Sequence, residues 1–506
     1  LDTLSKKTVT DCARRYLTEG YGCVFKRQGI DASAKKIDKP HISPIETNRD
    51  KTSAFVDSVL AMPVAEVEPV FVDFSREVQK GTLMGGNELL AHRDVDSRLF
   101  HLSFVIERGT KEDPALDVAE QYLPYLGTDS MDASQLQSRL YALACDATLS
   151  TEAGRTRLTL SGLAENMEEA LRLTERWIAT ARPDTAIYAQ VVNDILKLRA
   201  DNKTNQKACF NALTQYGIYG PHNAITDAMD AARMRQLGAA GVLQHLRSLC
   251  GVAQHVLYYG PLESTQVSRL VNEVYPMSEH PEAAHDGQFY TPLQVDESRV
   301  IIAPFQAKNT YMMGYSSRGE QFSLALKPYV GVFNEYFGGG MNSIVFQELR
   351  ESRGLAYNAS ALFSQASRPS DREWFFTRII TQNDKLKDCL NVFDEIVEQM
   401  PQSESAFSLA REAVIKRLAT QRILREQILD YYLRCRDQGL DDDPDKAVYE
   451  KVKTMTMADL LSFHEREIAK RKYHLLLLGD EADWDMSSLQ QRGAIQRVTL
   501  KDIFGY

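Results

Sequence analysis

The chain is poor in cysteine. Cys12, Cys23, Cys145, Cys209, Cys250, Cys389 and Cys435 are scattered over 506 residues. They are odd in number and form no C-x-x-C pair, which argues against a zinc ribbon and against a disulfide framework. No apolar run approaches the ~20 residues of a membrane span; the best, residues 474–478 (HLLLL), is short. No Lys/Arg block offsets a formal net charge of −10, so nucleic-acid binding is not expected. No charged-then-apolar leader follows Leu1, so the sequence names no compartment. Bacterial periplasm, cytoplasm and an organelle matrix all fit. An opening residue other than methionine is expected of a processed product or a fragment.

What is present is the composition of a globular protein, 43% apolar and 25% charged. At roughly 100–200 residues per domain, the length suggests about three to five domains.

Two long stretches read alike. In the first, a strand pattern at 100–107 (FHLSFVIE) precedes an apolar-periodic helix at 115–126 and a break at Gly127-Thr128. A helix starting near Ser134, capped by it or by Asp132, leads to a strand at 156–163 and a helix opened by Asn166-x-x-Glu169. About 210 residues later the order recurs. A strand lies near 311–317, a helix at 324–337 ending on Gly338-Gly339-Gly340, and a helix from Asn342 or Ser343. A strand at 373–381 and a helix at 386–400 follow. Each unit closes with helices and a short strand ending in glycine, at 256–260 and at 475–479. A third copy of that tail, helix 9–17 and strand 23–25, opens the chain, as though the front of its unit were absent.

The expected class is therefore α+β: two similar domains, each a mostly antiparallel sheet packed with helices, preceded by the tail of an upstream domain. The boundaries are 1–30 for the tail, 31–75 for a proline-containing surface linker, 76–291 for one domain and 292–506 for the next. A second proline-rich connection, 276–293, separates the two full units.

The sharpest local segment runs YFGGGMNSIVFQELRESRGLAYNASA from Tyr336. Its glycines end one helix by permitting positive φ, Asn342 or Ser343 caps the next, and Gly354 ends that. Arg350 and Tyr357 follow an R-x6-Y spacing, two turns if the helix ran on. A guanidinium and a phenol are good donors to a carbonyl oxygen or oxyanion. On chemistry alone the plainer reading is a solvated helix arginine and a core-edge tyrosine. The glycine run lacks the Walker spacing G-x-x-x-x-G-K-[ST], so it is not read as a phosphate loop.

This segment resembles the hallmark of the second half of the pitrilysin/insulinase-type metallopeptidases, the inverzincins. The resemblance implies four similar α+β domains in two halves that close around a peptide. The first half carries zinc on H-x-x-E-H, and an Arg and a Tyr of the second half bind substrate backbone. Arg350 and Tyr357 match those two positions. By the same comparison the chain is the C-terminal half, its opening is the tail of domain two, and 76–291 and 292–506 are domains three and four. Counting back from Gly127, the H-x-x-E-H positions of the first unit are Val118, Gln121 and Tyr122, none a usable zinc ligand or general base. No catalytic residue, metal or cofactor is expected in this chain, and the zinc of the complete enzyme is expected from the first half. The implied partners are that zinc-bearing N-terminal half and a peptide or unfolded polypeptide. The alternatives are a catalytically dead scaffold or presequence-binding subunit of the same fold, or a subunit pairing with a separate zinc-bearing chain.

Other histidines are read as structural. His280 and His285 lie in the proline-rich connection, and His464 and His474 are separated by a helix end and a strand. His92 and His101 flank Asp94 and Asp96 in what reads as an exposed polar turn; the role of His222 is open. Asn202-Lys203-Thr204 is a glycosylation sequon, of consequence only in a eukaryotic secreted chain.

Overall fold

The computed structural model describes residues 4–18, 20–25, 33, 52–283 and 289–506. The chain divides into two units, Leu1–Ser43 and Pro44–Tyr506. Within the first, Ser5 accepts a hydrogen bond from the Thr8 amide and caps a helix over Lys6–Tyr16. The strand expected at 23–25 does not form. An isolated strand leaves its backbone donors and acceptors without a ladder, and the described residues offer it none.

Among the described residues, twelve strands lie in the second unit: β1 (Gln79–Thr82), β2 (Glu88–Arg93), β3 (Leu99–Ile106), β4 (Cys145–Thr151), β5 (Thr156–Leu163), β6 (Gln254–Gly260), β7 (Arg299–Pro304), β8 (Asn309–Ser316), β9 (Ala356–Ser364), β10 (Trp374–Gln382), β11 (His474–Gly479) and β12 (Ala494–Arg497). They form two six-stranded sheets in the orders β1-β2-β6-β3-β5-β4 and β12-β7-β11-β8-β10-β9. The second is the first repeated, with β7 for β2, β8 for β3, β9 for β4, β10 for β5 and β11 for β6. Each closing strand inserts in mid-sheet, parallel to one neighbour (β6 with β2, β11 with β7) and antiparallel to the other (β6 with β3, β11 with β8). The fold is α+β, with mixed and mostly antiparallel sheets.

One face of each sheet packs on helices of its own half. Under the first sheet, Phe104, Leu158, Leu160, Val256 and Tyr258 meet the helices Ala115–Tyr122, Met167–Thr180 and Ala231–Ser248. Asp132 supplies a complete capping box for the helix Ala133–Ala142, one of the two caps anticipated. Asn166 does not cap; its amide donates to the Leu143 carbonyl instead.

The other face of each sheet is covered by the opposite half. The helix Gln206–Tyr219, from the first half, lays Cys209, Ala212, Leu213 and Ile218 on Ile301, Met313, Tyr315, Leu476 and Leu478 of the second sheet. The helix Ile428–Asp437, from the second half, lays Ile428, Leu429, Tyr432 and Leu433 on Leu90, Val105 and Leu257 of the first. This explains the run at 475–478: Leu475 and Leu477 face one core, Leu476 and Leu478 the other. A central strand buried on both faces reads as continuous apolar sequence, not as alternation.

Charges rim the exchange. Arg155 binds Asp437 at 2.5 and 2.9 Å and Glu107 at 2.9 Å, and Arg157 binds Asp430 at 2.7 Å. His255 and Arg436 contact Glu88 at 3.0 and 2.5 Å and hold its carboxyl down to about 2. Asp94 is buried, accepting from Tyr259 and from Arg425 at 3.0 and 2.9 Å. The expected exposed turn around His92 is thus corrected. His92 and Asp94 are both buried: His92 bonds Glu77 and stacks on Tyr259, and Arg425 of the far half pairs with Asp94, which no local pattern reveals.

Glu373, just before β10, is fully buried, and burial pushes its carboxyl up to about 7. One oxygen accepts from the Ser323 amide and Gln365; the other has no partner. A raised carboxyl pKa means the folded state holds a proton that the unfolded state releases near 4.5, so stability falls as pH climbs from about 4.5 to 7. Glu373→Gln should therefore unfold at higher denaturant than the parent at pH 8, by a margin of order 1–3 kcal/mol, and match it near pH 4. Urea titrations at both pH values test this.

Candidate functional site

The segment around the glycine run departs from regular helix in two places. The expected helix 324–337 is a 3-10 turn (Leu324–Leu326), an α-helix (Lys327–Phe333) and a π-turn (Asn334–Gly338). The next begins as α at Ile344–Phe346 and widens to π over Gln347–Ser352. Ser343 stands at its N-cap, although its hydroxyl donates back to the Gly340 carbonyl at 2.6 Å.

The glycines serve close approach. A Cβ on Gly338 would lie 2.1 Å from the Ala361 carbonyl oxygen and 2.4 Å from its nitrogen, so the chain rests on the backbone of edge strand β9. One turn earlier, the Asn334 side chain accepts from the Phe363 amide at 2.7 Å and donates to its carbonyl at 3.0 Å. It stands in for a neighbouring strand and blunts part of that edge.

Arg350 sits on the π segment. Tyr357 is not two helical turns further on: the helix has stopped, and Tyr357 is the second residue of β9. The reversal is made at Gly354, which takes φ +56, while the Leu355 amide bonds the Leu349 carbonyl at 2.8 Å. The fold brings the two residues together all the same. The Arg350 guanidinium lies 5.7 Å from the Tyr357 ring centre and 4.9 Å from that of Phe346. Tyr357 is 76% exposed, so it is no core-edge tyrosine. Among the described residues Arg350 has one ion-pair partner, Glu351 at Nε, 3.5 Å away. Its two Nη atoms and the Tyr357 hydroxyl make no hydrogen bond there. The arrangement presents a fork of donors and a phenol at one surface, with Met341 also exposed nearby in sequence. Phe346 was not singled out from the sequence. Its spacing of four from Arg350 on a helix was the available signal.

The positions aligned with H-x-x-E-H do not converge on a site. Val118 is fully buried in the first core. Tyr122 is equally buried, its hydroxyl donating to the Asp184 carbonyl at 2.9 Å and accepting from the Asp184 amide at 2.7 Å. Gln121 points outward and bonds Asp117. Neither buried group offers a lone pair free for zinc, so these residues do not fit the metal. No cluster of three potential ligands occurs among the described residues. His464 is buried beside Phe333 and Phe337, and His474 beside Tyr315 near the Gly217 carbonyl; burial lowers the pKa of both. His222 pairs with Asp227 at 3.1 Å and His101 with Glu426 at 3.6 Å. His280 lies in an exposed turn, and His285 is outside the described residues. No helix among the described residues is long and apolar enough to cross a membrane.

Two repeated α+β halves make up this fold, and the second bears the glycine run and the arginine–tyrosine pair. A family model described as the Peptidase M16 inactive domain matches residues 254–414, which include Arg350 and Tyr357. Over that stretch the chain is similar to M16 inactive domains, which is consistent with the pitrilysin-like C-terminal half that lacks the zinc motif. The chain is similar to a peptidase M16 inactive domain from Pseudomonas fluorescens at 17% identity and a TM-score of 0.66, covering 81% of this chain and 99% of that one. It is similar to the periplasmic protease PqqL from Escherichia coli at 14% identity and TM-score 0.61. It is also similar to the ferredoxin protease FusC, solved with Arabidopsis ferredoxin, at 10% and 0.65. Each of those two matches covers 94% of this chain and 51% of the protease, so the chain spans about half their length. No curated protein matches it in sequence.

The close approach at Gly338 is open to test. Gly338→Ala should lower stability by about 2 kcal/mol or more through the β9 clash. Gly340→Ala, whose Cβ would meet only Glu335 Oε1 at 3.9 Å, should stay within about 0.5 kcal/mol of the parent in denaturant melts.

Proposed function

We propose that this chain is the substrate-holding half of a zinc-dependent endopeptidase that degrades peptides or unfolded polypeptides. The observation that carries this is the Arg350–Tyr357 pair: exposed, the guanidinium 5.7 Å from the ring centre, with two Nη atoms and a hydroxyl that make no hydrogen bond among the described residues. In this reading the guanidinium and phenol donate to carbonyl oxygens of an extended peptide and hold it against the facing wall. The zinc and the glutamate that serves as general base belong to an N-terminal half. The chain alone cleaves nothing, because Val118, Gln121 and Tyr122 replace the ligand set. Support comes from the matched inactive-domain region and from coverage of about half of two proteases. That FusC was solved with a protein bound is consistent with a polypeptide substrate here.

A second reading is a separate subunit that pairs with a zinc-bearing chain. It is favoured by the Pseudomonas fluorescens structure, a chain almost wholly covered by this one.

Both readings are tested by adding a zinc-bearing N-terminal half and following a quenched fluorescent peptide. Arg350→Ala and Tyr357→Phe should each cut turnover by about 10²-fold with the fold intact. Equal rates in parent and both variants would sink the assignment of the pair. A mixture that associates without cleaving would favour a scaffold.

A further inference from the structure

The first half contains a cavity of about 210 Å³ that the peptidase reading does not use. Ile106, Leu149 and Leu158 of the sheet form one wall; Ile178 and Leu246, from two helices, form another. The exposed Ala179 and half-exposed Arg247 stand at its rim. The lining is apolar apart from Glu175, Arg247, Cys250 and Tyr275.

The side chains of these polar residues are not matched to one another. Tyr275 is 93% buried by its 7% exposure, its ring stacked on Phe104 at 4.1 Å, and its hydroxyl has no hydrogen-bond partner among the described residues. Tyr275, Cys250 and Glu175 all line the cavity. Glu175 has neither ion pair nor hydrogen bond among the described residues. Arg247, on the same wall, is engaged elsewhere: Nε donates to the Ile178 carbonyl at 3.0 Å and Nη2 to that of Ala181 at 2.6 Å. Cys250 donates to the Arg247 carbonyl at 3.0 Å. A carboxylate and a buried phenol thus line an apolar pocket, and neither is hydrogen-bonded to another described residue.

We propose that this cavity binds a small aromatic or branched alkyl amine, its apolar body against Ile106, Leu149, Leu158 and Leu246 and its ammonium donating to Glu175 and the Tyr275 hydroxyl. The size follows from volume. A protein cavity of ~150 Å³ takes benzene, so this one holds about eight or nine non-hydrogen atoms. The charge follows from the donors missing. The half-exposed Glu175 carboxylate stands beside an apolar wall with no donor among the described residues, and an ammonium supplies up to three. Burial alone raises the Glu175 pKa, which fits a carboxylate held without a cation.

The test is calorimetric titration of the full chain with phenethylamine and with 2-phenylethanol, a neutral analogue of the same size. The amine should bind saturably and about tenfold more tightly than the alcohol. Glu175→Gln, at a half-exposed position where shape is kept, should erase that preference and leave alcohol binding unchanged. Leu149→Phe, which fills the cavity, should abolish binding of both while far-UV circular dichroism stays native. No saturable amine binding to the parent, or a preference that survives Glu175→Gln, or binding undiminished in Leu149→Phe, would each overturn the proposal.

Discussion

Neither sheet of this protein can cover itself. Each is flanked on one face by its own helices, and each leaves a second apolar face that must be buried. The halves resolve this by exchange: Gln206–Tyr219 crosses to the second sheet and Ile428–Asp437 to the first. Burying one leucine-sized side chain is worth about 1.5–3 kcal/mol, and several are committed on each side. The two halves are therefore one cooperative body, not beads on a linker. Arg155, Arg157 and Arg436, each paired across the exchange, fix its register more than they add to its strength, since partly exposed pairs contribute little.

That constraint bears on the site. The cover from the opposite half thins out over β9 and β10, where Asn358 and Arg378 are exposed, so free surface remains there and at the turn leading into β9. The chain there is unusual: two π-turns, a glycine resting on strand backbone, and a left-handed reversal at Gly354. π-turns are uncommon and gather at functional places. Here the widened helix and the reversal bring Arg350 beside Tyr357 at the start of β9, with Phe346 behind. A regular helix would have carried residue 357 on along its axis.

The repeat makes the divergence between halves readable. The first half has the same strands in the same order, but its helix Ala115–Tyr122 has been absorbed into the core. Val118 fills space, and Tyr122 bridges to the backbone of Asp184. A position that packs as hydrocarbon and one whose only oxygen is already bonded twice cannot be recruited to a metal without dismantling that core.

Much was legible in the sequence because it is local or periodic. The alternation in β3, β5 and β10, the amphipathic helices, the Asp132 cap, the repeat at about 210 residues and the segment from Tyr336 to Ala361 all lie within short windows. The strands β1, β2, β4, β7 and β12 were not legible: β1 and β12 are only four residues long, β2 and β7 are buried on both faces and lack a two-residue alternation, and β4 alternates over a polar stretch with few apolar residues. The buried state of His92 and Asp94 was hidden too, as was the meaning of the leucine run at 475–478, because much of their cover comes from residues far away in the chain. The sequence by itself determined the α+β repeat and the residue types at the arginine–tyrosine pair, since periodicity and spacing decide those. Only the tertiary structure decided which faces are covered by which half, and that Arg350 meets Tyr357 through a reversal and not along a helix. Long-range burial and a single positive φ leave no periodic trace in the chain.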